Sequence, residues 1–395
     1  MNKVVNLHIY PSELTNESRM FKEAQSLIYL NLVDEVYLLG YRKDDLPAKE
    51  KIGKSIYIIR LKTLLRFDRN KVVRYLAFFE FLIRALFKSL RMNIAIVNCH
   101  SLHVLPIGVL MKRIKKISVI YDAHELETEV SGSKGILNKA AKLIEGICIK
   151  YADKVIVVSD SIREWYMNTY HISNVTAIYN APNPLLRRTN TLSESIVGFR
   201  DKYDISNNET LFLYQGLLSQ QRGVDTILSA FQDVEKSKHI IFMGNGPLKF
   251  EIIESSKQNS NVHYHPSVEP AQLLRYTEMA DVGIHVIRNS CLNHYYCLPN
   301  KLFEYIAAGV PFIISDFPEM SKVAVGTNGG WKIAPSKSEL LSKISTLTKD
   351  EIEEKKTNLR AVRNSFTWKK EELKYVKIYE ELIQSRNENF NNHWG

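Results

Sequence analysis

Residues Cys291–Phe317 read C-L-N-H-Y-Y-C-L-P-N-K-L-F-E-Y-I-A-A-G-V-P-F-I-I-S-D-F. Pro299 suits the start of a helix, where a missing N–H costs nothing. Apolar side chains then recur at Leu302, Phe303, Ile306 and Ala307, which is helical spacing. Gly309 ends the helix, and Pro311–Ser315 follows as a short buried strand. Lys301 falls in the first turn, where free N–H groups and the helix dipole favour an anion. Glu304 lies one turn deeper. A cation beside free N–H groups suits phosphate, and a nearby carboxylate suits sugar hydroxyls. The same features also describe an ordinary capped helix between two strands.

Upstream, the chain alternates strand and helix. Val4–Tyr10 is an apolar strand, the loop Pro11–Asn16 follows, and a helix runs from about Ser18 to Leu30. Val36–Leu39 is the next strand, so the first half opens as a parallel α/β sheet. Open sheets of this kind bind ligands beyond the C-terminal ends of their strands. The first such loop carries Glu13, Asn16 and Arg19, and no glycine-rich phosphate fingerprint. Ile94–Asn98 and Val119–Tyr121 are buried strands ending in N-C-H-S and Y-D-A-H-E-L, which place His100, Asp122, His124 and Glu125 on two neighbouring turns. A histidine there can exchange a proton with a sugar hydroxyl or phosphate near neutral pH, although a lone histidine more often serves structure.

Asn70–Met92 is an unusual helix. Val72, Tyr75, Leu76, Phe79, Ile83, Leu86, Phe87 and Leu90 share one face, which is expected to pack on the core. Lys71, Arg74, Arg84, Lys88 and Arg91 crowd the other, with Phe78 and Phe81 among them. Aromatics set among cations suit an interfacial helix on anionic lipid.

The polar stretch Arg187–Asn208 reads as a linker. Beyond it the alternation restarts: strand Leu211–Gln215, a glycine turn Gly216–Gly223, helix Val224–Phe231, strand Ile240–Met243 and the turn G-N-G-P-L with Gly244 and Gly246. Those two glycines permit close backbone approach to a ligand, though G-x-G alone is usually just a turn. Val262–His265, Glu269–Met279 and Val282–Ile287 continue as strand, helix and strand, and a closing helix covers Phe366–Ile383.

At 395 residues, with 45% hydrophobic and 24% charged residues, the chain has the composition of a globular protein of two or three domains. Its net charge of +10 favours anionic partners. Four cysteines lack paired metal-type spacing and are expected as free thiols in a reducing compartment. The N-terminal apolar run is short for a signal peptide, and no run reaches the ~20 apolar residues of a membrane span. A cytoplasmic protein, peripheral on the inner face of the plasma membrane, is the expectation.

P-N-K-L-F-E-Y-I-A-A-G-V-P resembles the donor-site segment of family 4 glycosyltransferases, specifically a subgroup with a Y-x-L-P-N-K-x-F-E-Y segment. The resemblance implies the GT-B fold: two doubly wound, Rossmann-like α/β domains facing across a cleft. It divides the chain into an acceptor-side domain (1–186), a linker (187–208), a donor-binding domain (209–365) and a C-terminal helix (366–395) returning to the first domain. In that family a Glu at the position of Glu304 holds ribose hydroxyls. A second Glu usual eight residues earlier is replaced here by Tyr296. Y-Q-G-L-L-S-Q-Q-R-G resembles the family's second phosphate element, with Leu217 in place of Arg and Arg222 in place of Lys. Arg222 and Lys301 would then clamp the diphosphate, and His124 would line the transferred sugar. Donor contacts are expected from Gly244, Gly246, His265, Tyr296, Asn300 and Glu304, with Tyr264 beside His265 near the base. Acceptor contacts are expected from Asn16, Arg19, His100 and Glu125.

The reading is a retaining, metal-independent sugar transferase with no cofactor, acting on a lipid-linked glycan in cell-envelope polysaccharide assembly (capsule, O-antigen or exopolysaccharide). No D-x-D triplet occurs, which removes the usual aspartate seat for a sugar-nucleotide metal. Its partners would be a nucleotide-sugar, the glycan acceptor and an anionic membrane reached by the Asn70–Met92 helix. A non-catalytic GT-B-like nucleotide-binding protein is the rival that Tyr296 and Leu217 support, and a same-fold epimerase is a variant of the enzyme reading. A nucleic-acid binder is suggested only by net charge, with no nucleic-acid motif.

Overall fold

In the computed structural model the strands form where the sequence runs apolar without interruption, because both faces of each sheet are covered by helices. The structure describes residues 3–391, except 16, 44, 66–69, 133, 134 and 184–196. The chain divides into two compact units. One holds Met1–Tyr179 together with the chain from Glu371 onward, and the other holds Asn180–Lys370.

The first unit contains β1 (Val5–Ile9), α1 (Ser18–Tyr29), β2 (Glu35–Tyr41), β3 (Lys49–Ile52), β4 (Ile56–Leu61), α2 (Lys71–Leu90), β5 (Ile96–Cys99), α3 (Leu105–Lys115), β6 (Ser118–Ala123), α4 (Ile136–Cys148), β7 (Lys154–Val157), α5 (Asp160–Tyr170) and β8 (Val175–Ala177). Its eight strands run in the order β3-β4-β2-β1-β5-β6-β7-β8. All are parallel except β3, which pairs antiparallel with β4 at the edge. That strand, K-E-K-I, has no apolar run to betray it. Its lysines are the charged side chains that protect an exposed edge.

The second unit contains α6 (Phe199–Lys202), β9 (Thr210–Gln215), α7 (Val224–Asp233), β10 (Lys238–Met243), α8 (Lys249–Gln258), β11 (Val262–His265), α9 (Leu273–Thr277), β12 (Val282–His285), α10 (Leu292–Tyr295), α11 (Asn300–Ala308), β13 (Phe312–Ser315), α12 (Pro318–Thr327), β14 (Gly330–Ile333), α13 (Lys337–Thr346) and α14 (Lys349–Val362). Six parallel strands run β11-β10-β9-β12-β13-β14. Phe212, Tyr214, Phe231, Phe242 and Ile313 centre its core. α15 (Trp368–Asn391) starts in this unit and continues in the first. The expected GT-B class, two doubly wound parallel-sheet domains, is what the chain adopts.

Three local expectations are corrected. The division falls after Tyr179, and Phe199, expected in the linker, is buried in the second unit; linker residues 187–196 lie outside the described residues. The helix expected over Glu269–Met279 is a single turn, Leu273–Thr277. The third concerns α2. Its expected core face is the exposed one: Val72, Tyr75, Leu76, Phe79, Ile83 and Phe87 all face outward. The buried stripe is Ala77, Phe81, Ala85 and Ser89, spaced four apart. Small residues let the helix lie close to the sheet, and Phe81 alone fills the gap, edge-on to Tyr41 at 6.1 Å.

Candidate active site

In the second unit, α11 begins just after Pro299 and ends on Gly309 in a left-handed conformation (φ 70°), so Lys301 lies in the first turn. The Lys301 ammonium sits 4.0 Å over the Tyr214 ring, beside the turn at Gly216. Burial, and then the Arg222 guanidinium, push Lys301 down to about 7, against the pull of Glu304. Arg222 closes the 3₁₀ turn Gln220–Arg222 that leads into α7. Arg222 stands near enough to depress the Lys301 ammonium, and two cations brought together in this way suit an anion.

Glu304 is oriented from behind. The Gln215 amide donates to Glu304 Oε2, and the Thr277 hydroxyl donates to Gln215 Oε1 at 2.9 Å. Gln215 ends β9 and is buried. His285 ends β12, is fully buried and has no hydrogen-bond partner on either ring nitrogen. Burial, then Lys301 and Arg222, hold it neutral, well below the usual imidazole range. Gln215 and His285 were missed in the sequence. The available signal was position: each is a polar residue closing an apolar strand at its C-terminal end, where such sheets bind ligands.

The two glycines of G-N-G do something other than expected. A Cβ at Gly244 (φ 154°) would stand 1.9 Å from Gly216 O, and one at Gly246 (φ 155°) 2.4 Å from Leu218 O. The close approach is to the protein's own backbone. Hydrogen bonds from Gly216 N to Met243 O and from Leu218 N to Asn245 O, both 2.9 Å, lock the two turns together. His265 is also occupied: its Nδ1 donates to Pro266 O at 2.7 Å, and its ring packs among Phe199, Tyr203 and Tyr276. Tyr296 is half-buried against Tyr295, while Asn300 is exposed at the head of α11.

In the first unit, the C-terminal ends of β1, β5 and β6 and the turns that follow bring together a buried polar cluster. His8 Nδ1 lies 2.7 Å from His100 Nε2, and His100 Nδ1 lies 3.0 Å from His124 Nε2. Three imidazoles thus form a continuous hydrogen-bonded row. His8 and His100 are fully buried, and half-buried His124 is its outer member, near Tyr10. Asp122 Oδ2 lies 3.2 Å from His100 Nδ1. Burial alone would raise Asp122, but Arg19, His100 and His124 hold it well below the carboxylate range. Ionised Asp122 therefore takes the His100 Nδ1–H, and His100 Nε2 accepts from His8 Nδ1. That leaves His8 Nε2 bare, and it is the ring nitrogen of the row found without a partner.

This geometry overturns two expectations. Arg19 does not face an acceptor. It is buried, grips Asp122 through Nε (3.1 Å) and a second nitrogen (3.0 Å), and donates to Ile178 O at 2.9 Å. His100 is likewise sealed between His8 and His124. The fork geometry of arginine favours such a buried clamp. Glu125 is exposed, and Asn16 lies outside the described residues. Glu23, one helical turn beyond Arg19 and 3.1 Å from its Nε, is pushed well above the carboxyl range by burial and by Asp122.

The two halves of the chain match two family models: residues 31–184 that of Glycosyltransferase Family 4, and residues 209–350 that of Glycosyl transferases group 1. The chain is a GT-B glycosyltransferase. It is similar to an uncharacterised glycosyltransferase of Methanocaldococcus jannaschii, 23% identical over 75% of each chain. It is also similar to the chitobiosyldiphosphodolichol beta-mannosyltransferase of Kluyveromyces lactis, 23% identical over 84% of this chain and 80% of that protein. Among solved structures, sucrose-phosphate synthase of Thermosynechococcus elongatus superposes with a TM-score of 0.76, at 14% identity, over 97% of this chain and 100% of the other. Anabaena HepE in complex with UDP gives 0.66, at 13% identity, over 98% and 100%.

Among the described residues of this glycosyltransferase, two groups could be weighed as metal ligands: His8, Glu23 and His100, and His100, Asp122 and His124. Their spacing suits hydrogen bonds better. Two imidazoles on one tetrahedral zinc stand about 3.3 Å apart, from bonds of roughly 2.05 Å. Here the facing nitrogens are 2.7 and 3.0 Å apart, and the Arg19 guanidinium already neutralises Asp122.

Proposed function

We propose that this glycosyltransferase moves a sugar from a nucleotide-sugar donor to a hydroxyl of a lipid-linked glycan, with retention and without a metal, in cell-envelope polysaccharide assembly. The observation that carries the donor half is the paired cation site of Arg222 and Lys301 at the head of α11. Lys301 is held near neutrality until an anion arrives. Both cations stabilise charge growing on the departing diphosphate. Glu304, fixed by Gln215, holds the ribose hydroxyls, and Asn300 and Tyr296 flank it. Gly244 and Gly246 act indirectly, by shaping the Gly216–Leu218 turn, and His265 supports that wall by packing. His124, fed by the imidazole row, contacts the donor sugar, and Glu125 faces the acceptor. Hydrogen-bonded histidines clamped by Arg19 support metal-independent chemistry.

The lipid-linked acceptor draws support from the similarity to chitobiosyldiphosphodolichol beta-mannosyltransferases and from the outward apolar face of α2, which suits an anionic bilayer. No helix among the described residues is long and apolar enough to cross a membrane. We infer a peripheral contact, on the cytoplasmic face of the membrane.

The test is a donor screen. Free nucleoside diphosphate is followed from a panel of nucleotide-sugars, with and without lipid-linked and chain-free glycan acceptors, and product anomers are read by NMR. Acceptor-dependent release from one donor, lost in Lys301→Ala and Glu304→Ala, is expected. Nucleotide binding without turnover on any donor would instead favour a non-catalytic role.

A further inference from the structure

α2, α3 and α4 lie side by side on the first unit, and each turns apolar side chains outward. On α4, Ile136, Leu137, Leu143, Ile144 and Ile147 are 44–85% exposed. Leu110 and Ile114 of α3 and the outer face of α2 continue the surface. Over half of the exposed large apolar side chains among the described residues belong to these three helices. Monomeric soluble proteins rarely leave so much contiguous apolar surface open.

The orientation is enforced from within. Buried Glu145 of α4 accepts hydrogen bonds from the hydroxyls of Tyr121 (2.7 Å), Tyr166 (2.7 Å) and Tyr170 (2.6 Å). With that polar tether inside, α4 cannot roll its leucines and isoleucines inward without pulling Glu145 away from the three tyrosines. Between the helices runs a groove of about 410 Å³, lined by Leu82, Ile83, Leu86, Pro106, Leu110 and Ile144 among others.

Charge selects the occupant. The three helices carry nine Lys and Arg against two Glu. Of those two, Glu145 is buried and Glu80 is paired with Arg84 at 2.6 Å; Asp153 and Glu129 from adjoining segments pair Lys112 and Lys142, and the surface keeps an excess of cations around those pairs. A second copy of this chain would bring cation against cation. An anionic bilayer offers both complements, acidic headgroups for the lysines and arginines and hydrocarbon for the apolar face. We propose that α2, α3 and α4 together form a membrane-docking face for anionic lipid, and that the groove takes the hydrocarbon tail of one lipid. This rests on the peripheral-membrane reading above and extends it from α2 to α4 and to a bound chain.

The test uses the full chain and flotation with vesicles of phosphatidylcholine, with or without phosphatidylglycerol. Wild type should float with the anionic vesicles only. L143S/I147S and K139E/K142E should each lower the bound fraction at least tenfold, with UDP affinity and unfolding midpoint unchanged. Phosphatidylglycerol carrying a photoreactive tail should label peptides containing Pro106–Leu110 and Ala141–Ile144. If α4 variants float like wild type while F79S/F87S does not, α2 alone carries the contact and the proposal fails, though the peripheral transferase stands. If wild type never floats, or dimerises through this face, the proposal also fails. Transfer to a chain-free acceptor then still reports separately on the enzyme. Labelling confined to α2 overturns the groove.

Discussion

Lys301 turns electrostatics into a measurable pH signature. Its folded value of about 7 lies well below the ordinary lysine value. A bound diphosphate favours the charged form, so nucleotide binding should take up a proton. At pH 8 most free protein has neutral Lys301, and affinity for UDP or its counterpart should fall up to tenfold per pH unit above about 7. Calorimetry at pH 8 in buffers of different ionisation enthalpy should show that uptake, and Lys301→Arg should abolish it, because arginine does not deprotonate there. The histidines make a second prediction at this scale. Burial lowers His100 and His263 to about 4, and His8 and His285 well below their ordinary value. An unfolded chain binds protons on these groups from about pH 6.5 downward, whereas the folded chain resists until about pH 4. Stability gained above that window is lost within it, by as much as about 1.4 kcal/mol per pH unit for each histidine. Thermal melts between pH 7 and pH 4 should therefore show a steep fall in midpoint. A flat profile would mean that these rings are protonated in the fold.

Elements were legible where local pattern and tertiary role agreed. Apolar strands such as Thr210–Gln215 and the capped helix Asn300–Ala308 came through nearly to the residue, because burial on both faces and a left-handed glycine stop are written locally. Edge strand Lys49–Ile52 was invisible, since its pairing with β4 is a tertiary fact on a charged segment. α2 is the instructive reversal. Hydrophobic periodicity identifies an apolar face, but it does not say whether protein or something else covers that face. The site divides along the same line. Lys301, Arg222 and Glu304 carried motif and spacing, Gln215 and His285 carried only their position at the ends of apolar strands, and His8 is recognisable only once folding brings it beside His100. α4 has an equally hidden anchor. Glu145→Ala should strand the buried Tyr121 and Tyr166 hydroxyls at about 1–3 kcal/mol each, and the half-buried Tyr170 hydroxyl at less. A drop of several degrees in unfolding midpoint is expected, together with faster amide exchange over Ile136–Cys148. Glu145→Gln, which keeps an acceptor oxygen, should lose less.

At the scale of the molecule, the first unit is completed from the far end of the chain. Tyr375, Ile378, Tyr379 and Leu382 of α15 are buried. The Tyr379 hydroxyl donates to Asn98 Oδ1 at 2.8 Å, Arg386 donates to Ala95 O at 2.7 Å, and Glu371 accepts from Tyr179 N at 2.9 Å. Four such apolar side chains are worth roughly 6–12 kcal/mol at about 1.5–3 kcal/mol each, close to the 5–15 kcal/mol that stabilises a typical domain. The second unit keeps its own core around Phe212, Phe231 and Phe242, and the whole cation site of Arg222 and Lys301. Truncation after Lys370 should therefore unfold one unit and spare the other. Amide exchange should become fast over Val5–Ala123 and stay slow over Thr210–Ile333, while nucleotide still binds and sugar transfer is lost. Simultaneous loss of protection in both units would show instead that they fold as one cooperative body, with the last helix a keystone for the whole chain.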